Sequence, residues 1–310
     1  MRVTLGLPTH RVDLLEQFGT AEAVMELAKE AEAAGFDAVN VTEHPFPGDE
    51  WMRTGGHHAL DPFVALSFAA AATTTLRLHT NLVVLAYRNP FLTAKAVATL
   101  DAMSGGRVIL GVGAGYLDTE FAALGVDFEE RNDLTDEAIS AMKVAWSEEG
   151  VTLDGRHFRA TGNTMLPKPV QKPHPPIWVG GNSARAIRRA VELADGWSPM
   201  PNTAATVGRR RTPALDSVTV LRERIAYARE HAARIGRSAP LDIVFIPMGA
   251  DMYSPDGLDR ARFVDEAAEL ADAGVTWLVV SVPGAGRAAV VDNIRSFGAD
   301  VLPGLRAIAV

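Results

Sequence analysis

The sequence predicts an α/β protein, a (β/α)8 TIM barrel with insertions at the C-terminal face of its sheet. Three observations predict it. Short runs rich in Val, Ile and Leu alternate with amphipathic or alanine-rich stretches along the chain, the pattern of parallel strands joined by right-handed helical crossovers. The runs are apolar throughout rather than every second residue, which marks strands buried on both faces. Eight such runs fit within 310 residues, a length that one α/β barrel can fill as a single domain, 1–310.

The elements follow in order. Residues 2–7 form a first strand ending at Pro8, and Thr20 caps a helix to about Ala34, with Gly35 just past its end. Residues 36–42 form strand two, with Glu43-His44-Pro45 at its C-terminal tip and a Pro-, Gly- and His-rich loop to Ala59. Asp61 opens a helix with Pro62 at its first position. Residues 76–85 form strand three, 93–103 a helix and 108–115 strand four. A long helix then occupies part of 120–146, where Leu134, Ile139, Met142 and Trp146 share one face. Residues 150–176 are turn- and proline-rich and read as an insertion containing a hairpin. Strand five is 177–179 with its helix at 183–194, and strand six is 195–198. A loop at 199–213 and a helix reaching Gly236 come next. Strand seven (241–246), the helix 258–273, strand eight (275–282) and a closing helix (287–302) complete the barrel.

Composition narrows the function. A net charge of −8 argues against non-specific nucleic-acid binding, so no nucleic-acid partner is expected. The absence of cysteine excludes disulfides, thiolate metal sites and a Cys nucleophile. No apolar run has the length of a signal peptide or a membrane span, so a cytoplasmic protein with no membrane partner is expected.

Chemistry concentrates at the strand ends. In Ser104–Gly115, SGGRVILGVGAG, strand four loses its side chains where Gly111, Gly113 and Gly115 alternate with Val112 and Ala114. Those glycines either ease a tight bend or leave room for a ligand, and ligands of parallel α/β proteins bind at this end of the sheet. Gly180-Gly181-Asn182-Ser183 closes strand five and opens a helix. Its backbone N–H groups and an Asn or Ser cap suit an anion, although a plain helix cap has the same residues. His44, at a strand tip, is the candidate for proton transfer or ligand contact, with a structural role as the alternative. Glu43 points the other way along an extended strand. His57-His58 lacks a third ligand at metal spacing, and no metal is expected. Arg209-Arg210-Arg211 reads as a solvated loop or as a clamp for an anionic tail. Trp178 and Trp197 read as barrel packing, and Tyr87-Arg88 as either pocket lining or a surface turn.

The segments FDAVNVTEH, RNPFLTAKAVATLDAMSGGRVILGVGAGYLDTEF and PHPPIWVGGNSARAIRRAVELADGWSP resemble the luciferase-like monooxygenase superfamily, closest to its branch that uses the deazaflavin coenzyme F420. The resemblance covers about residues 1 to 200. It implies an oxidoreductase that binds F420, or FMN as the alternative. The ring would lie against Thr80, Asn81 and Leu82 of strand three and Gly113, Ala114 and Gly115 of strand four. The phosphate would lie at Gly180, Gly181, Asn182 and Ser183. It also implies a bulge at the end of strand three built on a non-proline cis peptide at Asn81–Leu82. With F420 the reaction would be hydride transfer to or from a small organic substrate. With FMN it would be oxygenation fed by a separate reductase, and a non-catalytic flavin-binding barrel is the further alternative. A homodimer is implied, with the helices at 61–73 and 93–103 as its surface. His44 matches a catalytic His of deazaflavin-dependent sugar-phosphate dehydrogenases. Tyr116 departs from that subfamily, where the matching residue is a catalytic Glu, so sugar-phosphate oxidation is not expected.

Overall fold

The computed structural model describes residues 1–249 and 258–309. Eight parallel strands close into a barrel: β1 (Arg2–Gly6), β2 (Ala38–Val41), β3 (Arg77–Val84), β4 (Val108–Gly113), β7 (Ile177–Gly180), β8 (Gly196–Ser198), β9 (Asp242–Phe245) and β10 (Trp277–Val280). Between β4 and β7 the chain makes an antiparallel hairpin of β5 (Val151–Asp154) and β6 (Arg159–Asn163), the insertion expected there. Closure comes from β1, which pairs with both β2 and β10. The barrel strands β2, β4, β7 and β10 are buried along their whole length, which is why their sequences are continuously apolar. Among the described residues, no helix is long and apolar enough to cross a membrane.

Local signals set the helix starts. Thr20 caps Ala21–Ala34, its Oγ1 accepting from the Ala23 N–H at 3.2 Å, and Gly35 ends that helix at φ +92. Asp61 caps Pro62–Ala72 and Ser183 caps Ala184–Leu193 in the same way. The helix expected at 93–103 begins earlier, at Pro90, because Asn89 accepts from the N–H groups of Phe91 and Leu92. The stretch 120–146 is two helices, Asp118–Ala123 and Arg131–Ser147, separated where Gly125 turns at φ +73. The loop at 199–213 holds a short helical segment, Val207–Arg210, so Arg209 and Arg210 lie on a last helical turn. The closing helix stops at Asp300, and a separate one spans Leu302–Ala307.

The Asn81–Leu82 peptide is cis, as the resemblance implied, and the pairing of β3 with β4 shifts register between Thr80 and Val83. This irregularity explains two of the glycines. A Cβ on Gly111 would be driven into the Thr80 carbonyl oxygen, and one on Gly180 into the Leu82 side chain. The room left by these glycines is therefore filled by β3 itself rather than kept open for a ligand.

Trp178 and Trp197 are fully buried, the packing role expected of them. Trp178 stands edge-on to His79 at 4.8 Å and to Trp277 at 5.0 Å between ring centroids, forming an aromatic layer inside the barrel.

Candidate functional site

A cavity of about 700 Å³ opens at the C-terminal ends of the strands. Its wall includes Gly6 of β1, Asn40 of β2, Asn81 of β3 and Ser281 just past β10. His10 and His57, on the loops after β1 and β2, complete the wall on one side. The volume lies in the range of small-molecule and cofactor sites.

His44 sits on the adjoining wall, three residues past the end of β2, with its side chain only 7% exposed. Its Nδ1 lies 3.3 Å from Glu120 Oε2, and the other oxygen of that carboxylate accepts the Phe46 N–H at 3.1 Å. A carboxylate only accepts, so Nδ1 presents its N–H to Glu120, and Nε2 is the ring nitrogen left for a further partner. Nε2 faces the Tyr116 hydroxyl at 3.4 Å. Burial pushes the Tyr116 phenol above its usual range, against the pull of Arg210 and Arg209, so the hydroxyl remains a donor at neutral pH. Trp51 covers one face of the His44 ring at 4.5 Å, and His57 meets its edge at 4.9 Å. The result is an oriented imidazole in a row, Glu120–His44–Tyr116.

Glu43 points away from His44, as its strand position required. It accepts the Val84 N–H at 2.7 Å and pairs with Arg88, which also reaches Asp61 at 3.3 Å. Burial raises the Glu43 carboxyl, with Arg88 opposing. Arg88 therefore anchors the end of β3 rather than lining the pocket. The Tyr87 hydroxyl is buried with no partner among the described residues.

The expected ring contacts separate into two groups. Asn81 faces the cavity, its amide donating to Asn40 Oδ1 at 3.2 Å. Thr80 is fully buried and donates to the Gly111 carbonyl at 2.9 Å, so its side chain holds β3 to β4. Leu82 covers Gly113 and Gly180. Ala114 and Gly115 are partly exposed just beyond β4, where Gly115 turns at φ +79.

At the helix after β7, Asn182 has a different part from the one expected. It is fully buried, its amide donates to the carbonyls of Met200 and Pro213, and its own N–H donates to Thr212 Oγ1. Asn182 ties down the loop after β8 and presents no donor to an anion. Gly181 adopts φ +107, and its carbonyl accepts from Trp197 Nε1 at 2.8 Å. Ser183 accepts the Ala186 N–H at 3.1 Å. The N–H groups of Ser183, Ala184 and Arg185 have no hydrogen-bond partner among the described residues and lie at the positive end of the helix dipole.

Arg211 pairs with Asp118 at 2.6 Å, Arg210 donates to the Pro201 carbonyl at 2.7 Å, and Arg209 lies over the Trp51 ring at 5.7 Å. This loop therefore caps the aromatic side of the mouth. No three His, Asp or Glu side chains gather at metal-ligand spacing among the described residues.

Sequence reasoning missed Glu120, Trp51 and the place of His57. Tyr116 and Glu120 are four residues apart across the start of Asp118–Ala123, a spacing that can turn both toward one side. That was the only local hint.

An F420-dependent glucose-6-phosphate dehydrogenase from Intrasporangium calvum is 30% identical, over 94% of this chain and 97% of its own length. A second protein of that description, from Microbacterium testaceum, is 28% identical over 94% of this chain and 95% of its own length. Among solved structures, an F420-dependent secondary alcohol dehydrogenase in complex with an F420-acetone adduct superposes with a TM-score of 0.75 at 20% identity, covering 98% of this chain and 99% of that one. The model of the family described as luciferase-like monooxygenase matches residues 1–249, and the chain belongs to that family.

Proposed function

We propose that this member of the family is an F420-dependent oxidoreductase that moves a hydride to or from a small organic substrate. The observation that carries the reading is the Glu120–His44–Tyr116 row beside a cavity of about 700 Å³. Hydride chemistry at carbon needs a positioned group to take or give the accompanying proton, and an imidazole of fixed tautomer does this near neutral pH. The relatives described as F420-dependent support the deazaflavin over FMN.

The residues fit such a cofactor. The cavity has the size for a flat ring system, with the Asn40 and Asn81 amides on its wall. The unpartnered N–H groups of Ser183, Ala184 and Arg185 suit a phosphate. When bound, the deazaflavin supplies the hydride acceptor or donor. The chain's own work is to hold that ring at the mouth, keep water from it with the Trp51 side of the loop, and present an oriented imidazole. Glucose 6-phosphate is not the expected substrate of this chain, because a tyrosine stands at position 116 and Glu120 reaches His44 from a helical turn further on.

The test is equilibrium binding of F420 and of FMN to the purified protein, side by side. F420 is expected to bind tighter, and FMN binding tighter by tenfold or more would overturn the choice. We also infer a homodimer through the outer faces of Pro62–Ala72 and Pro90–Ser104. There Val64 (60%), Phe68 (41%), Leu92 (74%) and Met103 (81%) are exposed. Sedimentation of a Leu92→Asp variant as a monomer, against a dimeric parent, is the expected result.

A further inference from the structure

We propose that His57 is the catalytic residue that touches the substrate, its Nε2 exchanging a proton with an alcohol or carbonyl oxygen, with His44 behind it as a positioning residue. The inference rests on the hydride-transfer reading above and assigns the contact within that site.

Three observations point to it. His57 lines the cavity, whereas His44, covered by Trp51, Tyr116 and His57 itself, is not among the lining residues. His57 Nδ1 lies 2.9 Å from the His58 carbonyl, which only accepts, so Nδ1 carries the proton and Nε2 the lone pair. That Nε2 has no hydrogen-bond partner among the described residues. The ring is held by edge contacts with His44 at 4.9 Å and His10 at 5.6 Å, and by Trp51 at 5.5 Å. It is thus a base of fixed tautomer, backed by the Glu120-oriented His44.

Its surroundings favour the neutral form. Burial lowers the His57 pKa, His44 and His10 lower it further when charged, and the His58 carbonyl and Glu120 oppose them. Arg11 and Asp13 stand beside His10, and Arg209 lies beyond Trp51. For an alcohol substrate the balance is complete. The C–H bond would break with its electron pair leaving as hydride, for which a bound deazaflavin would be the oxidant. The O–H bond breaks with its proton passing to Nε2, and the C=O bond forms. The reverse step reduces a carbonyl.

The experiment has three arms. In the cofactor-free protein, ¹⁵N NMR of the imidazoles is expected to find His57 neutral at pH 7 with the proton on Nδ1; the other tautomer, or a charged ring, overturns the proposal. Diethyl pyrocarbonate with peptide mapping is expected to modify His57 at least tenfold faster than His44, and equal rates overturn it. The third arm uses F420-loaded wild-type, His57→Ala and His57→Phe proteins with ethanol, 2-propanol, cyclohexanol and benzyl alcohol. Fluorescence titration is expected to show all three proteins binding F420 within a few-fold of one another, so that the rate loss is not a loss of cofactor. Both variants should lose about 100-fold or more in hydride-transfer rate, and added imidazole should restore His57→Ala at least tenfold. Failure of wild type to bind F420 would overturn the cofactor reading instead. Binding without turnover of any alcohol overturns the alcohol step. A variant with wild-type rate and pH profile leaves His57 a packing residue and overturns the proposal.

Discussion

His79 on β3 and His44 beyond β2 are both buried histidines of the same barrel, 0% and 8% exposed, yet their surroundings differ in kind. His79 stands in the aromatic layer with Trp178, and neither of its ring nitrogens has a partner among the described residues. Burial holds its pKa down to about 3, with Arg77 adding to the shift, so it is a neutral packing group at any physiological pH. His44 has a carboxylate at one nitrogen, a phenol at the other and an indole on its face. Burial alone makes an imidazole inert. What sets His44 apart is a set of partners that orients its ring against His57, which lines the cavity.

Substitution at His44 breaks the comparison most severely. His44→Ala is expected to lower the hydride-transfer rate by about 100-fold or more, because it removes the ring that positions the proton-exchanging imidazole, while F420 affinity stays within a few-fold. Stopped-flow rates beside a fluorescence titration measure both. Glu120→Gln is the sharper test, since it keeps the shape and removes the charge-assisted bond. Such bonds are worth about 1.5–3 kcal/mol, so a rate loss of about 10- to 100-fold is expected, with a shifted pH profile and rescue by Glu120→Asp.

His79→Leu tests the other half. An unfolded His79 takes its proton near the ordinary 6.5, whereas the folded one does so only near 3. The unfolded state therefore binds more protons across that window, and stability falls as pH drops from 6.5 toward 3. The slope is about 1.4 kcal/mol per pH unit. Between pH 6.5 and 5, urea denaturation of the wild type should lose about 1.6 kcal/mol more than His79→Leu, with activity at pH 7 little changed. An equal loss in both proteins would show that His79 is not buried neutral. The smallest effect is expected at Ser183→Ala, which touches neither histidine. Losing that helix cap should cost about 1 kcal/mol of stability and weaken phosphate-bearing cofactors, leaving the rate at saturating cofactor unchanged. Gly181 is unsuited to the same test, because at φ +107 any side chain strains the backbone.

What could be read before folding was local. The caps at Thr20, Asp61 and Ser183 and the stop at Gly35 act through hydrogen bonds within one helical turn, and each formed where its residues stood. The continuous apolar runs required strands covered on both faces, which led to the barrel. His44 was legible because strand tips face the site in this architecture. Asn89 is a cap of the same local kind, and it starts its helix at Pro90, three residues before the expected 93.

The sequence by itself determined the strand and helix order, the barrel and the end of the sheet where the candidate site lies. The tertiary structure alone decided which side chains meet there. Glu120 is 76 positions from His44, and His57 reaches the same ring from a loop whose path no periodicity describes. The glycines of β4 and β7 show the same limit, since their neighbours, the Thr80 carbonyl and Leu82, belong to a strand whose register slips only on pairing. Contacts across a barrel depend on strand register and on how loops fold over the mouth, and these are set by the packing of the whole closed sheet.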